Sequence, residues 1–452
     1  MRTKEKLKQA ICEAVDRRRE EIEKIGDQIM ANPELGFKEF KTARLVADTL
    51  KSFEIPHETG LAITGVKGFI KGKNSGPTVA LMGELDSLLV SDHPQADSET
   101  GAAHACGHNA QIAGLMGAMM GLVDTGAMDE LDGSIVIFAV PAEEYVEIEY
   151  RLSLKREGKL SFLGGKPELI QKGHLDDVDL VAMIHTHGSP ELKKAAVVKS
   201  CNGCIVKLIR YRGLAAHAGS SPHKGINALN AAQIALTAIN AQRETFKDED
   251  AIRVHPIITR GGDLVNVVPA DVRLETFVRG KTNDAIMNAN IKVDHALKAG
   301  AMAIGAGVEI NTLPGYMPLQ DDRNMQKLFL QNAQFLFGAE ECTETGHRTG
   351  STDMGDISHI MPAVHPSMSG ASGISHGNDF MIADRQMAYL APAKALALMA
   401  VDLLYGNAEK AKEIKAQHRP IMSKEEYLAY QNRIFQKETF DGEAGTSKKS
   451  EV

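Results

Sequence analysis

The segment HACGHNAQ, residues 104–111, places one cysteine and two histidines within five consecutive positions. The Cys106 thiolate and the His108 imidazole are ligands that suit Zn²⁺ and similar divalent ions. A cysteine beside a histidine is also the pairing that cysteine hydrolases use to activate a nucleophile. The segment alone therefore leaves two hypotheses open, a metal site and a reactive thiol. Other residues of the chain must decide between them.

More polar side chains directly follow apolar runs that predict β-strands. The runs and the polar residues after them are PTVALMG (77–83) with Glu84 and Asp86, GSIVIFAV (133–140) with Glu143 and Glu144, and VDLVAMI (178–184) with His185 and His187. In open α/β sheets, sites form outside the carboxyl ends of the strands, so we expect these side chains to meet at one edge. A later Gly/Ser-rich loop, SGASGISHGNDF (369–380), offers His376.

Five of these side chains form a donor set for divalent metal, namely Cys106, His108, Glu144, His185 and His376. Because five ligands exceed the four of one tetrahedral zinc site, we expect two metal ions that share a ligand, and the Cys106 thiolate suits the bridging position. Beside Glu144, the Glu143 carboxylate would stay free as a general base for the attacking water. A lone Glu-Glu pair is usually a solvated feature, so the joint occurrence at strand ends carries the metal hypothesis.

The chain has 452 residues, which is long enough for two domains. Apolar runs that alternate with helical patterns predict an α/β catalytic domain formed by residues 1–197 and 315–420. Two amphipathic strand-helix units predict a small α+β domain, residues 198–314, inserted between these parts. Residues 421–452 form a C-terminal extension, and we expect its last part, DGEAGTSKKSEV, to be disordered.

Composition and charge exclude several classes of protein. The net charge of -8 argues against a nucleic-acid or anionic-membrane partner. The N-terminal segment has no apolar core of a signal peptide, and no stretch reaches about 18 apolar residues, so we expect no membrane span. Five cysteines without a secretion signal indicate a reducing, cytoplasmic location and no disulfide framework.

Ordered motifs between about residues 25 and 405 resemble one known family. They are NPELGFKEFKTARLVADTL, GELDSL, HACGH, PAEE, RGLAAHAGSSPHKGINAL, GGDLVNVVPA and STDMGDIS. The pattern resembles the aminoacylase and carboxypeptidase-G-like co-catalytic metallopeptidases. Within them it is most similar to the amidohydrolase subgroup of hippurate hydrolase, auxin-conjugate hydrolases and aminobenzoyl-glutamate hydrolases.

The resemblance implies a role for each matching residue. Cys106 matches the bridging ligand and Glu143 the general base, while the other ligand positions are His108, Glu144, His185 and His376. His217 matches a histidine that stabilises the tetrahedral oxyanion, often in the neighbouring subunit's site. The matching substrate-binding positions are Asn266 and Arg279, and Asp86 matches a carboxylate that orients a metal-binding group.

The resemblance also implies the architecture and the cofactors. It implies a large mixed-sheet metallohydrolase domain with an inserted ferredoxin-like lid and dimerisation domain. Two divalent ions, Zn²⁺ or Mn²⁺, would bind per subunit, and the chain would form a homodimer or a higher oligomer. The substrate would be a small N-acyl or N-aroyl amino acid or a dipeptide-like conjugate.

The sequence departs from the family pattern at three places. Many relatives carry Asp at the position of Asn109. The aminobenzoyl-glutamate and dipeptidase-like branches resemble this chain in carrying Asn there. Glu84 occupies the position of a histidine ligand of the wider family. The segment 144–166 is longer and more charged than expected, and we interpret it as a solvated insertion, with a lid as the alternative.

These observations predict a metal-dependent amidohydrolase. One alternative is a homologue that binds metal but has lost catalysis, and retention of Glu143 argues against it. A second is a non-catalytic partner subunit of a hetero-oligomeric amidohydrolase. A third is a cysteine hydrolase that uses Cys106 with His108, which would lose activity to thiol reagents even without metal.

Overall fold

The structure is a computed structural model that describes residues 2–450, and the chain divides into two compact units. The larger unit consists of Met1–Lys199, Gln320–His347 and Asp356–Ser423, and the smaller of Ser200–Leu319, Arg348–Gly355 and Lys424–Val452. Each unit is therefore assembled from segments that lie far apart in the sequence.

The α-helices of the described residues are α1 (Lys4–Arg17), α2 (Arg19–Met30), α3 (Phe40–Ser52), α4 (His108–Asp124), α5 (Ile148–Arg156), α6 (Gly165–Gln171), α7 (Ala228–Ala241), α8 (Asn283–Ile304), α9 (Arg323–Phe337), α10 (Met354–Ile360), α11 (Ala391–Gln417) and α12 (Lys424–Ile434). The strands are β1 (His57–Leu61), β2 (Gly65–Lys71), β3 (Asn74–Glu84), β4 (Leu88–Leu89), β5 (Ala102–Ala103), β6 (Asp132–Val140), β7 (Leu180–Met183), β8 (His185–His187), β9 (Ala195–Cys201), β10 (Gly203–Arg212), β11 (Arg253–Val254), β12 (Ile257–Arg260), β13 (Asp271–Gly280), β14 (Gly307–Pro314), β15 (Cys342–Arg348), β16 (Ala363–Val364), β17 (Ser367–Ser369), β18 (Ala371–Ser372), β19 (Met381–Ile382), β20 (Gln436–Asp441) and β21 (Thr446–Ser450).

The larger unit contains a six-stranded mixed sheet in the order β1-β2-β6-β3-β7-β16. β3 runs parallel to β6 and β7, whereas β1 and β2 are antiparallel additions at one side. The register pairs Glu84 with Val140, and Met82 with Met183. The residues that follow these three strands therefore leave the sheet at the same edge, and the predicted α/β fold with a mixed sheet is confirmed.

Helix α4 lies in the core of this unit, and every side chain from His108 to Leu122 is buried. Its small residues permit close packing against other helices. A Cβ atom on Gly117 would lie 2.8 Å from Ala393 Cβ and 2.9 Å from Ile22 Cδ1. The helix is apolar on all sides because it has protein on all sides, as expected for a central helix.

The smaller unit has an antiparallel sheet in the order β11-β13-β10-β14-β20-β21, and β12 also pairs with β13. Helices α7 and α8 cover one face through small and branched apolar side chains. The sequence predicts disorder at the C-terminus, whereas the structure describes a strand there up to Ser450. Thr446–Ser450 pairs with β20, because backbone hydrogen bonds to a sheet edge can order a segment that has little apolar surface.

One helical segment, Gln386–Gln417, has the length and mean hydropathy of a membrane span. However, 94% of its most apolar window is buried inside the fold. The segment also leaves helical geometry between Tyr405 and Ala408. These features are typical of a core helix.

Candidate metal centre

The HACGH segment turns sharply between β5 and α4, so that Cys106 and His108 lie on the same side. Gly107 makes the turn with a φ of +90°, a conformation that favours glycine. A Cβ atom there would also lie 3.2 Å from Thr186 Cβ. His108 is the first residue of α4, and its ring is therefore held by a rigid element.

At the other donor residues the backbone either has a positive φ or is held by short hydrogen bonds. In the PAEE turn after β6, Ala142 has a φ of +54°, and the Glu144 amide donates to Asp86 Oδ2 at 2.8 Å. His185 begins β8. His376 has a φ of +67°, and its amide donates to the carbonyl of Ala105 at 2.8 Å. Such backbone positions persist where surrounding contacts fix them, and they concentrate at functional sites.

The structure brings all five predicted metal ligands together. Cys106 forms one group with His108 and His185, and a second group with Glu144 and His376. Within each group the donor atoms lie within 4.8 Å of one another. A thiolate shared by two donor groups is the arrangement that two metal ions with one bridging ligand require.

Two histidines have their ring orientation fixed by backbone carbonyls. His108 Nδ1 lies 2.9 Å from the Asp86 carbonyl oxygen, and His185 Nδ1 lies 2.7 Å from that of Thr186. Because a carbonyl can only accept a hydrogen bond, each Nδ1 carries the proton and the neutral ring has its lone pair on Nε2. His185 Nε2 faces Cys106 Sγ at 3.4 Å, and His108 Nε2 is buried without a hydrogen bond. The donor set therefore fits a divalent cation.

The charges of the site also suit a cation. Burial and the Glu144 carboxylate raise the pKa of the Cys106 thiol, but His185 and His108 outweigh them and lower this pKa to about 5. Burial opposes ionisation of Glu144, but His376 lowers its pKa to about 2. The thiolate and carboxylate forms that bind metal are thus the favoured forms at neutral pH.

Glu143, the predicted general base, lies beside these groups. Its Oε2 is 4.0 Å from His108 Nε2, and the residue is 8% exposed. Asp86, the predicted orienting carboxylate, contacts both His108 and the Glu144 amide. The carboxylate therefore links the HACGH turn to the PAEE turn.

Asn109 is fully buried one residue into α4. Its amide nitrogen lies 3.3 Å from both the Gly26 carbonyl oxygen and Tyr389 Oη, and donates to them. These contacts fix the start of α4 against α2 and against the π-helical segment Gln386–Leu390 that precedes α11.

The remaining predicted residues lie in the smaller unit. His217 Nδ1 accepts hydrogen bonds from the amides of Gly219 and Ser220, both at 3.1 Å, so its proton is on Nε2. Asn266 is close to His217, because its carbonyl accepts from the Ala218 amide at 2.9 Å. Arg279 lies near the far end of β13, and roughly 25 Å of strand separates it from that pair.

The interpretation of residues 144–166 as a solvated insertion is wrong. The segment forms α5, and Arg151 and Lys166 are both fully buried. The Arg151 guanidinium donates to the carbonyl oxygens of Glu144 and Leu163, and Lys166 Nζ lies 2.6 Å from Glu84 Oε1. Two buried carbonyls and a buried carboxylate attract these cations inward, which outweighs the tendency of charged side chains to remain in water.

Comparisons with known proteins return related sequences over most of the chain. A family model described as Peptidase family M20/M25/M40 matches residues 80–399. The chain is 30% identical over 323 residues to the Xaa-Arg dipeptidase of Homo sapiens, or 68% of each chain. It is 27% identical over 385 residues to the hippurate hydrolase of Campylobacter jejuni, or 81% of this chain and 93% of the other.

A solved structure has the same fold. It is that of a dinuclear metal-binding peptidase of the M20 family from Bacillus subtilis, with a TM-score of 0.63 and 21% identity. The match covers 86% of this chain and 99% of that one.

Proposed function

The chain belongs to peptidase family M20/M25/M40 and is a metal-dependent hydrolase of amide bonds, and on this premise we propose its substrate class and mechanism. It cleaves the amide of an N-acyl or N-aroyl amino acid, or of a small dipeptide-like conjugate, and releases a carboxylic acid and an amino acid. The observation that carries the proposal is the pair of donor groups that share Cys106. Activities named for the dipeptidase and hippurate hydrolase relatives fall within this class.

The five donors Cys106, His108, Glu144, His185 and His376 would hold two divalent ions, Zn²⁺ or Mn²⁺. When bound, the ions supply Lewis acidity that polarises the substrate carbonyl and acidifies the attacking water. Glu143 takes the proton from that water as its oxygen bonds to the carbonyl carbon. The same carboxyl then gives the proton to the nitrogen as the carbon–nitrogen bond breaks.

The smaller unit contributes substrate contacts in this proposal. His217 carries its proton on Nε2, so it can donate a hydrogen bond to the oxyanion that develops on the carbonyl oxygen. Arg279 and Asn266 bind the carboxylate end of the substrate. Arg279 lies far along β13 from His217 and Asn266. In a homodimer whose subunits share these residues, Arg279 of one subunit would therefore serve a different site from His217 and Asn266 of the same subunit. We place the enzyme in the cytoplasm, where a thiolate ligand stays reduced.

The test is release of amino acids by the purified protein from acyl, aroyl and dipeptide substrates, after chelation and after addition of Mn²⁺ or Zn²⁺. Glu143→Gln should lower kcat by at least about 100-fold while metal content stays unchanged, because only the proton carrier is lost. Glu149→Gln, an exposed carboxylate on α5, is the matched control.

Three outcomes would contradict the mechanism. Activity that persists in Glu143→Gln would exclude this base. Thiol-reagent inactivation of a metal-free, active protein would favour a cysteine hydrolase. Bound metal without release from any substrate would favour a non-catalytic homologue or a partner subunit.

A further inference from the structure

The His108 ring faces two carboxylates that the five-ligand set leaves out. Its Nε2 lies 3.1 Å from Glu84 Oε2 and 4.0 Å from Glu143 Oε2. The three side chains form a further group whose donor atoms lie within 4.8 Å of one another. His108 and Glu84 are each only 1% exposed, so water does not separate their charges.

Glu84 is held rigidly in front of this ring. Lys166 Nζ donates to its Oε1 at 2.6 Å, and Gln111 Nε2 donates to its Oε2 at 2.7 Å. The side-chain oxygen of Gln111 also accepts from the Glu84 amide at 3.3 Å. A carboxylate has about four lone-pair positions, so these two donors leave room for another partner.

The proton position on His108 determines what that partner is. The Asp86 carbonyl accepts a hydrogen bond from Nδ1, so Nε2 is the ring atom that remains to bind a cation, and it lies 3.1 Å from Glu84 Oε2. An imidazole nitrogen and a carboxylate oxygen are both ligands of Zn²⁺ and similar ions, so the two side chains suit one ion.

We infer that Glu84 is itself a metal ligand, an oxygen donor to the ion that His108 and His185 bind. This inference rests on the metal centre of the proposed function and adds a sixth ligand to it. Lys166 and Gln111 are then positioning residues, because they hold the carboxylate toward His108.

The chemistry of an oxygen ligand gives the inference a specific consequence. Carboxylates suit Mn²⁺, whereas thiolates and imidazoles suit Zn²⁺. Loss of the Glu84 carboxylate should therefore weaken Mn²⁺ binding more than Zn²⁺ binding. If Glu84 only neutralised the Lys166 ammonium, its loss would not weaken Mn²⁺ binding more than Zn²⁺ binding.

The experiment measures metal binding by the full chain, stripped with a chelator, through calorimetric titration with Mn²⁺ or Zn²⁺ and elemental analysis. The variants are Glu84→Gln and the double variant Glu84→Gln/Lys166→Met, which removes both buried charges. Asp402→Asn is the matched control, since Asp402 is buried and pairs with Lys8 at 2.6 Å elsewhere in the same unit.

We expect Glu84→Gln to bind one of two Mn²⁺ ions more than about 100-fold less tightly, beyond the 10–100-fold cost typical of residues around a metal site. The double variant should show the same loss, and Asp402→Asn should bind like the wild type. Two tight Mn²⁺ ions in Glu84→Gln would overturn the inference. Recovery of tight binding in the double variant would also overturn it, because Glu84 would then only compensate Lys166. A wild-type chain that binds no metal would instead overturn the proposed function.

Discussion

The hydrogen bonds of the Asn109 side-chain amide explain why an uncharged residue occupies this position beside the candidate metal centre. Its nitrogen donates to a backbone carbonyl and to the Tyr389 hydroxyl, both of which are buried with it. A carboxylate in the same place would direct an oxygen at the Gly26 carbonyl, with no proton between them. The helix contact therefore explains why Asn fits this position.

Asn109→Asp should lower the free energy of unfolding by about 1–3 kcal/mol, because a buried donor is lost and its acceptor is left unpaired. Urea unfolding of the metal-free protein checks the value. Asn240→Asp, on the exposed side of α7, is the control and should change stability little. An unchanged midpoint in Asn109→Asp would mean that this amide does not hold α4.

At the scale of elements, α5 acts as a brace for the PAEE turn. Arg151 lies over the rings of Phe37 and Tyr145, with its Cζ at 5.2 and 5.4 Å from their centroids. Its guanidinium also donates to the Glu144 carbonyl, so a side chain from the insertion fixes the backbone of a predicted ligand. The insertion is thus part of the framework of the site.

Arg151→Met should leave the buried Leu163 carbonyl without a donor, at a cost of about 1–3 kcal/mol, while the Glu144 carbonyl keeps the Val146 amide. We expect a less stable protein that also binds metal more weakly, since the Glu144 backbone loses its support. Unfolding by urea and metal content measure the two effects. Arg156→Met, exposed at the end of the same helix, should change neither, and equal behaviour of both variants would argue against the brace.

The neighbouring helix α6 shows where prediction from the sequence stops. Cys106, Glu144 and His185 could be placed at one edge because each follows a strand or turn whose type the sequence reveals. Nothing local shows that Lys166 meets Glu84, since 82 positions separate them and the pair depends on how α6 packs. The one local signal is the GGK sequence at the start of α6, because a lysine beside apolar residues there needs a partner when it is buried.

Across the whole molecule, periodicity predicts an α/β domain with an inserted α+β domain, and the resemblance adds the mixed sheet. Nothing in the sequence predicts that the last described residues form a strand. A polar segment such as TSKKS has no hydrophobic pattern to mark it as a strand. It pairs because β20 presents an unpaired edge, which only the folded unit reveals.

The pH dependence of stability is a further property of the whole molecule, and Asp321 should contribute to it. Burial raises the pKa of this carboxyl to about 7, although the His365 amide and Gln326 donate to it. The folded state therefore keeps a proton that the unfolded state loses above its ordinary value of 3.8. Stability from this group is greatest near pH 4 and falls as pH rises to about 7.

Relative to Asp321→Asn, the wild type should lose up to about 3 kcal/mol of unfolding free energy between pH 5 and pH 8. Urea unfolding at both values measures the difference, with the exposed Asp129→Asn as a control that follows the wild-type profile. Parallel profiles for the wild type and Asp321→Asn would show that Asp321 is ionised throughout.

The pairing of β14 with β20 has a consequence for synthesis on the ribosome. β14 ends at Pro314, and its partner begins at Gln436, 122 residues later. At about 5–20 residues per second, the ribosome needs roughly 6–24 s to supply that partner. During this interval β14 is a free edge strand of a nearly complete sheet, where a second nascent chain could pair with it. Translation speed over residues 315–435 therefore sets how long each new chain carries an open edge.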